Sequence, residues 1–492
     1  MGFKTDTSFL RFLSMGARAV HRAMGILQQQ GFRPIELERY CGSNKIWATK
    51  VKRLRLPDLL CVNTGLRVEV RAKTDLKIRM SDAPQNPART WDAGNRDDDV
   101  VAFVACFDTV DGPVPAQNAV FFNIRSLRDA VAHSKLGPPK SASEGAERDR
   151  TWPAIIPSRD GRVLEVTPEK IIVEFKEGEG PVRRQTYTLR GKTPYIAPGE
   201  TFTAETTILA GAPASLADLR SSLQQRYTPL NDLASPAAVD RYAAVKALRF
   251  REDPRGHVIS ALEDLLQRET EHRVALEAAG TAAALDSELG RERISQLIWN
   301  NDDRPDLRME AVFILTELGP NTFTREQLNR IARDPMFENQ EARQAAVWGL
   351  GKAGLKCYED LLAFIDHADE NTAFHAIAAF GADTPQVVID RLVNDLVTGD
   401  VRRASAASEA LRIIGTEDVF RTVISAAHAQ PLVSGWLLAT LGRLPPEQVR
   451  QQLRDSPLLE RVSPMLLVAP GANWLTSDIV TADIAFLLKQ NL

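Results

Sequence analysis

The residues best suited to chemistry lie close together, on a predicted β-hairpin near the start of the chain. Asp58 follows Pro57, and Glu69, Arg71 and Lys73 alternate with small or apolar residues a short turn later. Because successive side chains of a strand point to opposite faces, Glu69, Arg71 and Lys73 are predicted to share one face. Two carboxylates beside two cations are suited to binding a divalent metal ion next to a phosphodiester and hydrolysing it.

The geometry of this hairpin depends on its register. If Val62 pairs with Gly65 across the turn, Asp58 lies directly opposite Glu69 and the two carboxylates become cross-strand neighbours. A slip of one residue would send Asp58 to the other face. Two carboxylates this close repel each other unless a cation or a proton lies between them. Mg²⁺, or Mn²⁺ in its place, suits a site with one or two carboxylates and several waters. The alternative interpretation is an ordinary hairpin whose charged face is solvated.

Charge is distributed unevenly along the chain. The 492 residues carry a formal net charge of −3, but residues 1–80 hold 16 Lys and Arg against 6 Asp and Glu, and the remainder holds 45 against 58. A basic first segment on an acidic body is typical of a module that binds a polyanion. The four cysteines lack metal-ligand spacing and indicate a reducing compartment. We find no signal peptide and no apolar run of membrane-spanning length, so the sequence predicts a cytoplasmic protein without a membrane partner.

Composition divides the chain into segments, and a chain of this length is expected to form several domains. The first segment alternates helices and strands. A later one contains short apolar runs between turn residues, which is typical of a small β-barrel or sandwich. The predicted organisation is an α/β domain at 1–133, a linker or mobile loop at 134–150, the small all-β domain at 151–213, an all-α solenoid at 214–455 and a helical cap at 456–492.

A repeated pattern runs through the helical segment. Arginine followed by small and aliphatic residues recurs at Arg241, Arg273, Arg308, Arg343 and Arg403, with spacings of 32, 35, 35 and 60 residues. A period of this length, with small residues where helices cross closely, is typical of an α-solenoid. The pattern resembles HEAT repeats, which implies a curved surface for a protein partner. An irregular helical bundle is the alternative.

Residues 16–106, which include this hairpin, resemble the PD-(D/E)XK nuclease superfamily, and within it the archaeal Holliday-junction resolvases. The order of elements carries the resemblance: a helix that ends just before Phe32, then Pro57-Asp58, then Glu69 with its cations. The resemblance implies a restriction-endonuclease-like α/β domain in which Asp58 and Glu69 bind Mg²⁺ or Mn²⁺. It also implies DNA as the substrate and hydrolysis of phosphodiester bonds as the reaction.

The chain departs from the family pattern at two places. The family's lysine falls on Arg71, which does not readily lose a proton near neutral pH and is therefore suited to orienting water or neutralising phosphate. Lys73, on the same face, is the candidate for the lysine's role. Family members often carry a metal-associated glutamate in the first helix, where this chain offers His21, and Glu36 and Glu38 are further candidates. The alternatives are a partly buried helix histidine and ion pairs between these glutamates and nearby arginines.

Cations on both sides of the hairpin are predicted to contact DNA phosphates without reading base sequence, which would make binding strongly salt-dependent. A solvated charged face is the other interpretation of such a run. Trp47 and Trp91 are either core residues or platforms on which bases stack. The predicted DNA-contacting residues are Lys50, Lys52, Arg53, Arg55, Lys77 and Arg79.

Together these features predict a Mg²⁺-dependent DNA endonuclease whose barrel and solenoid choose the target or a protein partner. Bacterial DNA processing and defence against foreign DNA are settings that would suit such a protein. Two other functions fit the sequence. In the first, Arg71 marks a decayed nuclease fold that binds DNA without cutting it. In the second, the chain is a scaffold whose HEAT-like solenoid binds proteins and whose first domain is a minor anchor.

Overall fold

The structure, a computed structural model, has a sheet-rich N-terminal part followed by an all-helical C-terminal part, as the sequence predicted. The change occurs after residue 211, where the last described strand ends. The residues that the structure describes are 7–37, 47, 54–109, 112–140, 147–176, 180–299, 304–335, 337, 339–352, 356–430 and 434–468.

A six-stranded sheet forms the centre of the N-terminal part. The elements of its first 130 residues are α1 (Thr7–Gln29), β1 (Pro34–Glu36), β2 (Leu59–Cys61), β3 (Arg67–Lys73), β4 (Ile78–Asp82), β5 (Val100–Thr109), β6 (Gly112–Pro115), β7 (Val120–Asn123) and α2 (Ile124–Asp129). The strand order is β1-β2-β3-β5-β6, and β7 pairs with another part of β5. β3 and β5 are parallel, and the other pairs of this sheet are antiparallel.

Helix α1 covers one face of this sheet. Alternation along the strands makes that face apolar, and it packs with the apolar stripe of the helix. Leu10 and Leu13 are buried and extend the stripe toward the start of α1 at Thr7. The shared core includes Ala17, Val20 and Leu27 of α1 with Leu59, Val68, Val70, Val100 and Ala102 of the strands.

Two different elements cover the opposite face. Near β1 and β2, Leu60 and Val62 pack against Ala243 and Ala247 of a helix in the C-terminal part. Near β5, a second cluster contains the large buried side chains Phe103, Phe122 and Trp152, together with Trp91. The hairpin therefore lies between an N-terminal core and the helical part. Both Trp91 and Trp47 are buried, as core packing requires.

A three-stranded sheet occupies the stretch that the sequence predicted as a linker. Strands β8 (Lys135–Pro139) and β9 (Arg148–Trp152) pair with β4 in the order β4-β9-β8. The described residues of 134–150 therefore belong largely to a sheet. β8 is its edge strand, where Gly137 and proline are tolerated because one side needs no ladder hydrogen bonds. Because residues 134–150 are rich in Gly and Pro, their composition is similar to that of a linker.

Short antiparallel strands follow and surround a small core of their own. They are β10 (Ala154–Ile155), β11 (Gly161–Val166), β12 (Lys170–Lys176), β13 (Val182–Thr188), β14 (Thr193–Pro194), β15 (Thr201–Phe202) and β16 (Ala210–Gly211). The sheets have the orders β10-β16-β14 and β13-β12-β11-β15. Val163, Ile171, Val173, Leu189 and Phe202 are buried between them. The all-β character matches the expectation for this segment.

The C-terminal part consists of helices packed side by side. They are α3 (Leu219–Ser222), α4 (Pro229–Asp232), α5 (Ala238–Arg249), α6 (Arg255–Arg268), α7 (His272–Ala284), α8 (Glu288–Trp299), α9 (Pro305–Glu317), α10 (Thr322–Arg333), α11 (Gln340–Leu350), α12 (Tyr358–Leu362), α13 (Glu370–Ala378), α14 (Gln386–Thr398), α15 (Val401–Ile414), α16 (Glu417–Ala429), α17 (Gly435–Arg443), α18 (Pro446–Gln452) and α19 (Leu458–Val468). None of the helices described is both long and apolar enough to cross a membrane.

Alternate helices from α5 to α17 pack against one another in one continuous row, called here the central row. The recurring arginines lie on helices of this row, and three of them form ion pairs in the described structure. Arg241 of α5 contacts Glu269 at 2.7 Å, Arg273 of α7 contacts Asp306 at 2.9 Å and Arg403 of α15 contacts Asp366 at 3.1 Å. The sequence period therefore corresponds to repeated packing and, at these three positions, to an ion pair.

A buried ion-pair network joins the hairpin to the helical part. Arg67 of β3 is 1% exposed and donates from Nε to Asp99 Oδ1 at 2.8 Å. Its Nη1 donates to Asp240 Oδ1 on α5, also at 2.8 Å. Asp240 in turn accepts from Arg96 Nε at 3.0 Å. One guanidinium thus links β3, the loop before β5 and α5, the first long helix of the C-terminal part.

Other cations donate to backbone carbonyls across the same junction. Arg251 Nη1 donates to the carbonyl of Val62 at 2.6 Å, and Arg33 Nη2 to that of Phe250 at 3.2 Å. These contacts tie the ends of β1 and β2 to the segment that follows α5. The N-terminal sheet and the central row are therefore joined by polar contacts as well as by apolar packing.

The Arg67–Asp99 pair gives a stability prediction. Asp99→Ala leaves a buried guanidinium without its main partner and is expected to lower the free energy of unfolding by about 3–5 kcal/mol. Urea unfolding followed by circular dichroism measures the change. Asp98→Ala, at an exposed neighbouring position, is the control and is expected to stay within about 0.5 kcal/mol of the parent chain. Equal unfolding midpoints for the two variants would contradict this role of the pair.

Candidate active site

The β2–β3 hairpin has the register that the sequence predicted. Leu59 pairs with Val68, and one further step along the strands brings Asp58 opposite Glu69. Gly65 closes the turn at φ +79°, a backbone conformation that residues with a Cβ seldom adopt. The two carboxylates are therefore cross-strand neighbours on one face of the sheet.

Asp58 lies where the ladder between β2 and β3 ends. If the ladder continued, the Val70 N–H would donate to the carbonyl of Pro57. It donates instead to Asp58 Oδ2, at 2.6 Å. On the other side, the Leu37 N–H donates to the Asp58 carbonyl at 2.8 Å. The Val70 N–H thus holds the carboxylate of Asp58 and the Leu37 N–H holds its backbone; Asp58 is only 5% exposed.

Glu69 is also buried, and its partner is on the same strand. Arg71 Nη2 lies 2.6 Å from Glu69 Oε1, since residues two apart on a strand share a face. The guanidinium offsets part of the repulsion between the carboxylates of Glu69 and Asp58. Glu69 and Arg71 therefore lie in contact on β3, next to the end of β2 that Asp58 precedes.

Lys73 differs electrostatically from Arg71. Burial, followed by the positive charges of Arg71, Arg79 and Lys140, lowers the pKa of Lys73 to about 7, and Asp149 acts in the opposite direction. A lysine with this pKa loses its proton near neutral pH, whereas an arginine keeps its own. Lys73 is therefore the cation of this face that can take part in proton transfer.

The three-stranded sheet supplies site residues that the sequence did not indicate. Lys140 Nζ donates to Ser81 Oγ at 2.8 Å and lies 3.1 Å from Asp149 Oδ1 and 3.3 Å from Glu147 Oε1. Asp149 also lies 3.7 Å from Arg79. These residues border Lys73 because β4 pairs with β9. The only signal for them in the sequence is the alternation of acidic and basic residues from 147 to 150. This stretch was interpreted as part of a linker, so the alternation was not read as a strand.

The cations predicted to contact DNA are partly engaged within the chain. Lys77 forms an ion pair with Asp75, and Arg79 lies 3.8 Å from the same carboxylate. Arg55 is exposed, and its Nε donates to the Ala88 carbonyl at 2.9 Å. Lys77 is 47% exposed at its side chain, so solvent and ligands still reach it. The other predicted residues of this group, Lys50, Lys52 and Arg53, lie outside the described residues.

The structure does not bring His21 or Glu36 to the two carboxylates. Glu36 pairs with Leu59, and this places it on the face that α1 covers, whereas Asp58 and Glu69 belong to the opposite face. His21 is an exposed residue of α1 itself. Glu38 lies outside the described residues. Both accessory candidates that can be located are thus separated from the site by the sheet.

The donor set fits a hydrated hard cation. No group of three or more His, Cys, Asp or Glu suited to a metal ion occurs in the described part of the chain. Asp58 and Glu69 are two such ligands, and Mg²⁺ is commonly held by one or two carboxylates with waters in its remaining positions. A metal ion bound here would share the carboxylate oxygen of Glu69 with Arg71, and that of Asp58 with the Val70 N–H.

Comparisons with known proteins add no family assignment. Neither the protein-family models nor the curated proteins contain a match to this chain.

The environment of Lys73 gives a titration prediction. Reductive ¹³C-methylation followed by NMR is expected to show one lysine resonance that titrates near pH 7, because burial and neighbouring cations disfavour the ammonium form. Lys73→Arg should remove that resonance and leave the others in place. A spectrum in which every lysine titrates above pH 9 would contradict the environment described for Lys73.

Proposed function

We propose that the chain is a metal-dependent endonuclease that hydrolyses phosphodiester bonds of DNA. The observation that carries the proposal is the register of the hairpin, which puts Asp58 opposite Glu69 beside Arg71 and Lys73. This arrangement supports the resemblance to the PD-(D/E)XK nucleases. The uneven charge of the sequence, basic at its start, supports DNA as the ligand.

In this proposal each side chain has a separate role. Asp58 and Glu69 would hold Mg²⁺ or Mn²⁺, and the bound ion would lower the pKa of water and neutralise charge on the phosphate. Arg71 remains positively charged and stabilises negative charge that grows on the phosphate oxygens. Its contact with Glu69 at 2.6 Å holds the guanidinium at the edge of the site.

Lys73 takes the proton of the attacking water. Its pKa of about 7 leaves a substantial neutral fraction at neutral pH, which a general base requires. The ammonium that results is accommodated next to Asp149, which favours the charged form. Lys73 thereby supplies the proton transfer for which Arg71 is unsuited.

The remaining parts of the chain are assigned to recognition. We propose that the all-β segment and a HEAT-like solenoid built on the central row select the DNA target or a protein partner in the cytoplasm. Repeat ion pairs such as Arg241–Glu269 support the solenoid. Bacterial DNA processing or defence against foreign DNA would suit a small nuclease attached to large recognition regions.

One observation favours a second function, which is DNA binding without cleavage. Both carboxylates already have close partners, since Arg71 lies 2.6 Å from Glu69 and the Val70 N–H lies 2.6 Å from Asp58 Oδ2. If these contacts exclude a metal ion, the chain would bind DNA in a salt-dependent manner and cut none. If the chain is instead a scaffold whose helical part binds proteins, its affinity for DNA should be negligible.

The endonuclease proposal predicts the effect of removing either carboxylate. Asp58→Ala and Glu69→Ala should each lower Mg²⁺- or Mn²⁺-dependent cleavage of plasmid or branched DNA at least about a hundredfold, because metal ions contribute several kcal/mol to such reactions. Gel assays of product formation measure the rate. Asp98→Ala, an exposed carboxylate, should cleave like the parent chain. Cleavage that persists undiminished in both site variants would refute the assignment.

The proposal also predicts a pH dependence. Lys73 is protonated below its pKa of about 7 and neutral above it, so the cleavage rate should rise as the pH increases through 7 and then level off. Lys73→Arg should abolish this rise and lower the rate about a hundredfold or more, the usual contribution of a general base. Rates measured from pH 5.5 to 9 at fixed metal concentration test this. An unchanged profile in Lys73→Arg would assign the proton transfer to another group.

A further inference from the structure

Two large apolar side chains are exposed where β5 and β6 extend beyond the other strands of the N-terminal sheet. Phe107 of β5 is 37% exposed, and Val114 of β6 is 45% exposed. The two residues are directly paired across these antiparallel strands. Residues that are directly opposite in such a pair place their side chains on one face, with Cβ atoms about 5 Å apart. Phe107 and Val114, called here the apolar pair, therefore form one continuous apolar surface.

The apolar pair lies on the face of the sheet that carries the candidate site. β3 and β5 are parallel, and Lys73 is paired with Ala105. Phe107 follows Ala105 by two residues and therefore shares its face. The next residue agrees with this, since Asp108 accepts from Arg11 Nη2 of α1 at 3.0 Å, on the opposite face. Lys73 and Phe107 are thus neighbours, with Cα atoms roughly 8 Å apart for ordinary strand geometry.

The packing that covers this face of β5 ends at the apolar pair. Val101, Phe103 and Ala105 belong to the buried cluster that also contains Trp152 of the three-stranded sheet. Phe107 is the next residue on that face of β5, and it is the first that solvent reaches. Its ring is therefore available to a ligand, in contrast to the aromatic residue that precedes it on the same face.

The outer edge of β6 is not suited to pairing with a further strand. The Ala116 N–H donates to the Ala105 carbonyl of β5 at 2.8 Å. Because alternate N–H groups of a strand point to the same side, the nitrogens of Pro113 and Pro115 point away from β5. Proline nitrogens carry no hydrogen, so an added strand would find no donors at these positions. A ligand of this region would accordingly contact the exposed face and not the edge.

The exposed area of the apolar pair indicates what kind of ligand fits it. If a whole large side chain has roughly 200 Å² of surface, the two residues expose on the order of 150 Å² together. A standard protein–protein interface buries about 800 Å² on each partner. The pair is therefore too small to hold a protein by itself. It suits a single nucleobase, because every base has a π-face that stacks on aromatic side chains.

The position of the apolar pair relates it to the candidate site. Val101, which is paired with Glu69, precedes Phe107 on β5 by roughly 20 Å of strand. At about 3.4 Å per nucleotide of one DNA strand, this distance corresponds to at most about six nucleotides. Arg71 and Lys73 lie between these two points on the same face. A DNA strand that runs from the carboxylates to the apolar pair would consequently cross two cations that can contact its phosphates.

We propose that Phe107 stacks on an unpaired base of the DNA, beside Val114, and that the substrate class is DNA in which a duplex meets a single strand close to the cut. This inference rests on the proposed function and names the substrate class of the same site. Bases of a continuous duplex are paired and stacked on one another, so a side chain reaches a π-face only where a base has left the stack. The apolar pair thereby selects DNA by its unpaired bases and not by its base sequence.

The experiment measures the affinity of the full chain for two DNAs, with Ca²⁺ in place of Mg²⁺. One is a continuous duplex, and the other is the same duplex opened at one end into two single-stranded arms. The parent chain is expected to bind the forked DNA more tightly. Phe107→Ala should weaken binding of the forked DNA about 5- to 150-fold, the usual effect of losing one base–aromatic stack, and leave the affinity for the duplex unchanged. Phe107→Trp should keep the preference, and Phe107→Leu, which is apolar but has no ring, should lose it.

Two controls make the result specific. Phe12→Ala removes a phenylalanine that is more exposed than Phe107 but belongs to α1, on the other side of the sheet, and it should bind both DNAs like the parent chain. 2-Aminopurine, placed in turn at each of the first positions of an arm, should change its fluorescence at one or two positions when the parent chain binds. The same positions should give no change with Phe107→Leu. Circular dichroism identifies any variant that has unfolded.

The outcomes separate this inference from the proposed function. Equal affinity of the parent chain for the two DNAs, or an unchanged preference in Phe107→Leu, overturns the stacking role alone. A dimer of the parent chain that dissociates in Phe107→Ala, with DNA binding unchanged, also overturns it and assigns the apolar pair to a second copy of the chain. Absence of binding to either DNA overturns the proposed function and this inference with it. A preference that is lost in Phe107→Leu and kept in Phe107→Trp establishes the stacking role whether or not the chain cleaves DNA.

Discussion

The buried guanidinium of Arg67 is the constraint on which the rest of the structure depends. It lies on the same face of β3 as Glu69 and finds its partners in Asp99 and Asp240. If the hairpin slipped by one residue, this charge would enter the apolar face that α1 covers, away from Asp99 and Asp240. Buried ion pairs are weak sources of net stability, but here the pair specifies register. The same register brings Asp58 opposite Glu69, so the arrangement of the candidate site follows from an interaction outside it.

The candidate site combines two cations with different chemical capacities on one short strand. Arg71 is fixed beside Glu69 and keeps its charge, whereas Lys73 lies among other cations and in a less polar environment that lowers its pKa to about 7. Burial is the largest cause of the lowered pKa of Lys73, the charges of Arg71, Arg79 and Lys140 add to it, and Asp149 opposes it. Perturbed titration in a partly buried group with specific charged neighbours is common at functional sites. The geometry thus supplies a physical reason why Lys73 is suited to proton transfer.

Local periodicity made part of this structure predictable. The alternation of Val68 to Lys73 and the turn at Gly65 determine the hairpin and its register, and recurring arginines mark the units of the central row. Long-range pairing was not predictable in the same way. Arg150 on β9 contacts Asp82 on β4, 68 residues away, from a stretch whose composition is typical of a linker. Nothing in the sequence around Trp47 indicates that its indole packs against Phe313 of α9, Trp348 of α11 and His375 of α13. Metal and DNA binding are properties of a complex with a ligand, which local periodicity in the sequence does not specify.

The distance along the chain between Arg67 and Asp240 has a consequence for biosynthesis. The two residues are 173 positions apart, and the ribosome adds roughly 5–20 residues per second, so about 10–35 seconds pass between their emergence. During that interval the surface of β1 and β2 that later meets α5 has no covering helix. One face of the nascent N-terminal sheet is therefore uncovered until α5 has been made. Chaperone binding would protect this intermediate, and a chain truncated within α5 would be a preferred substrate for proteolysis.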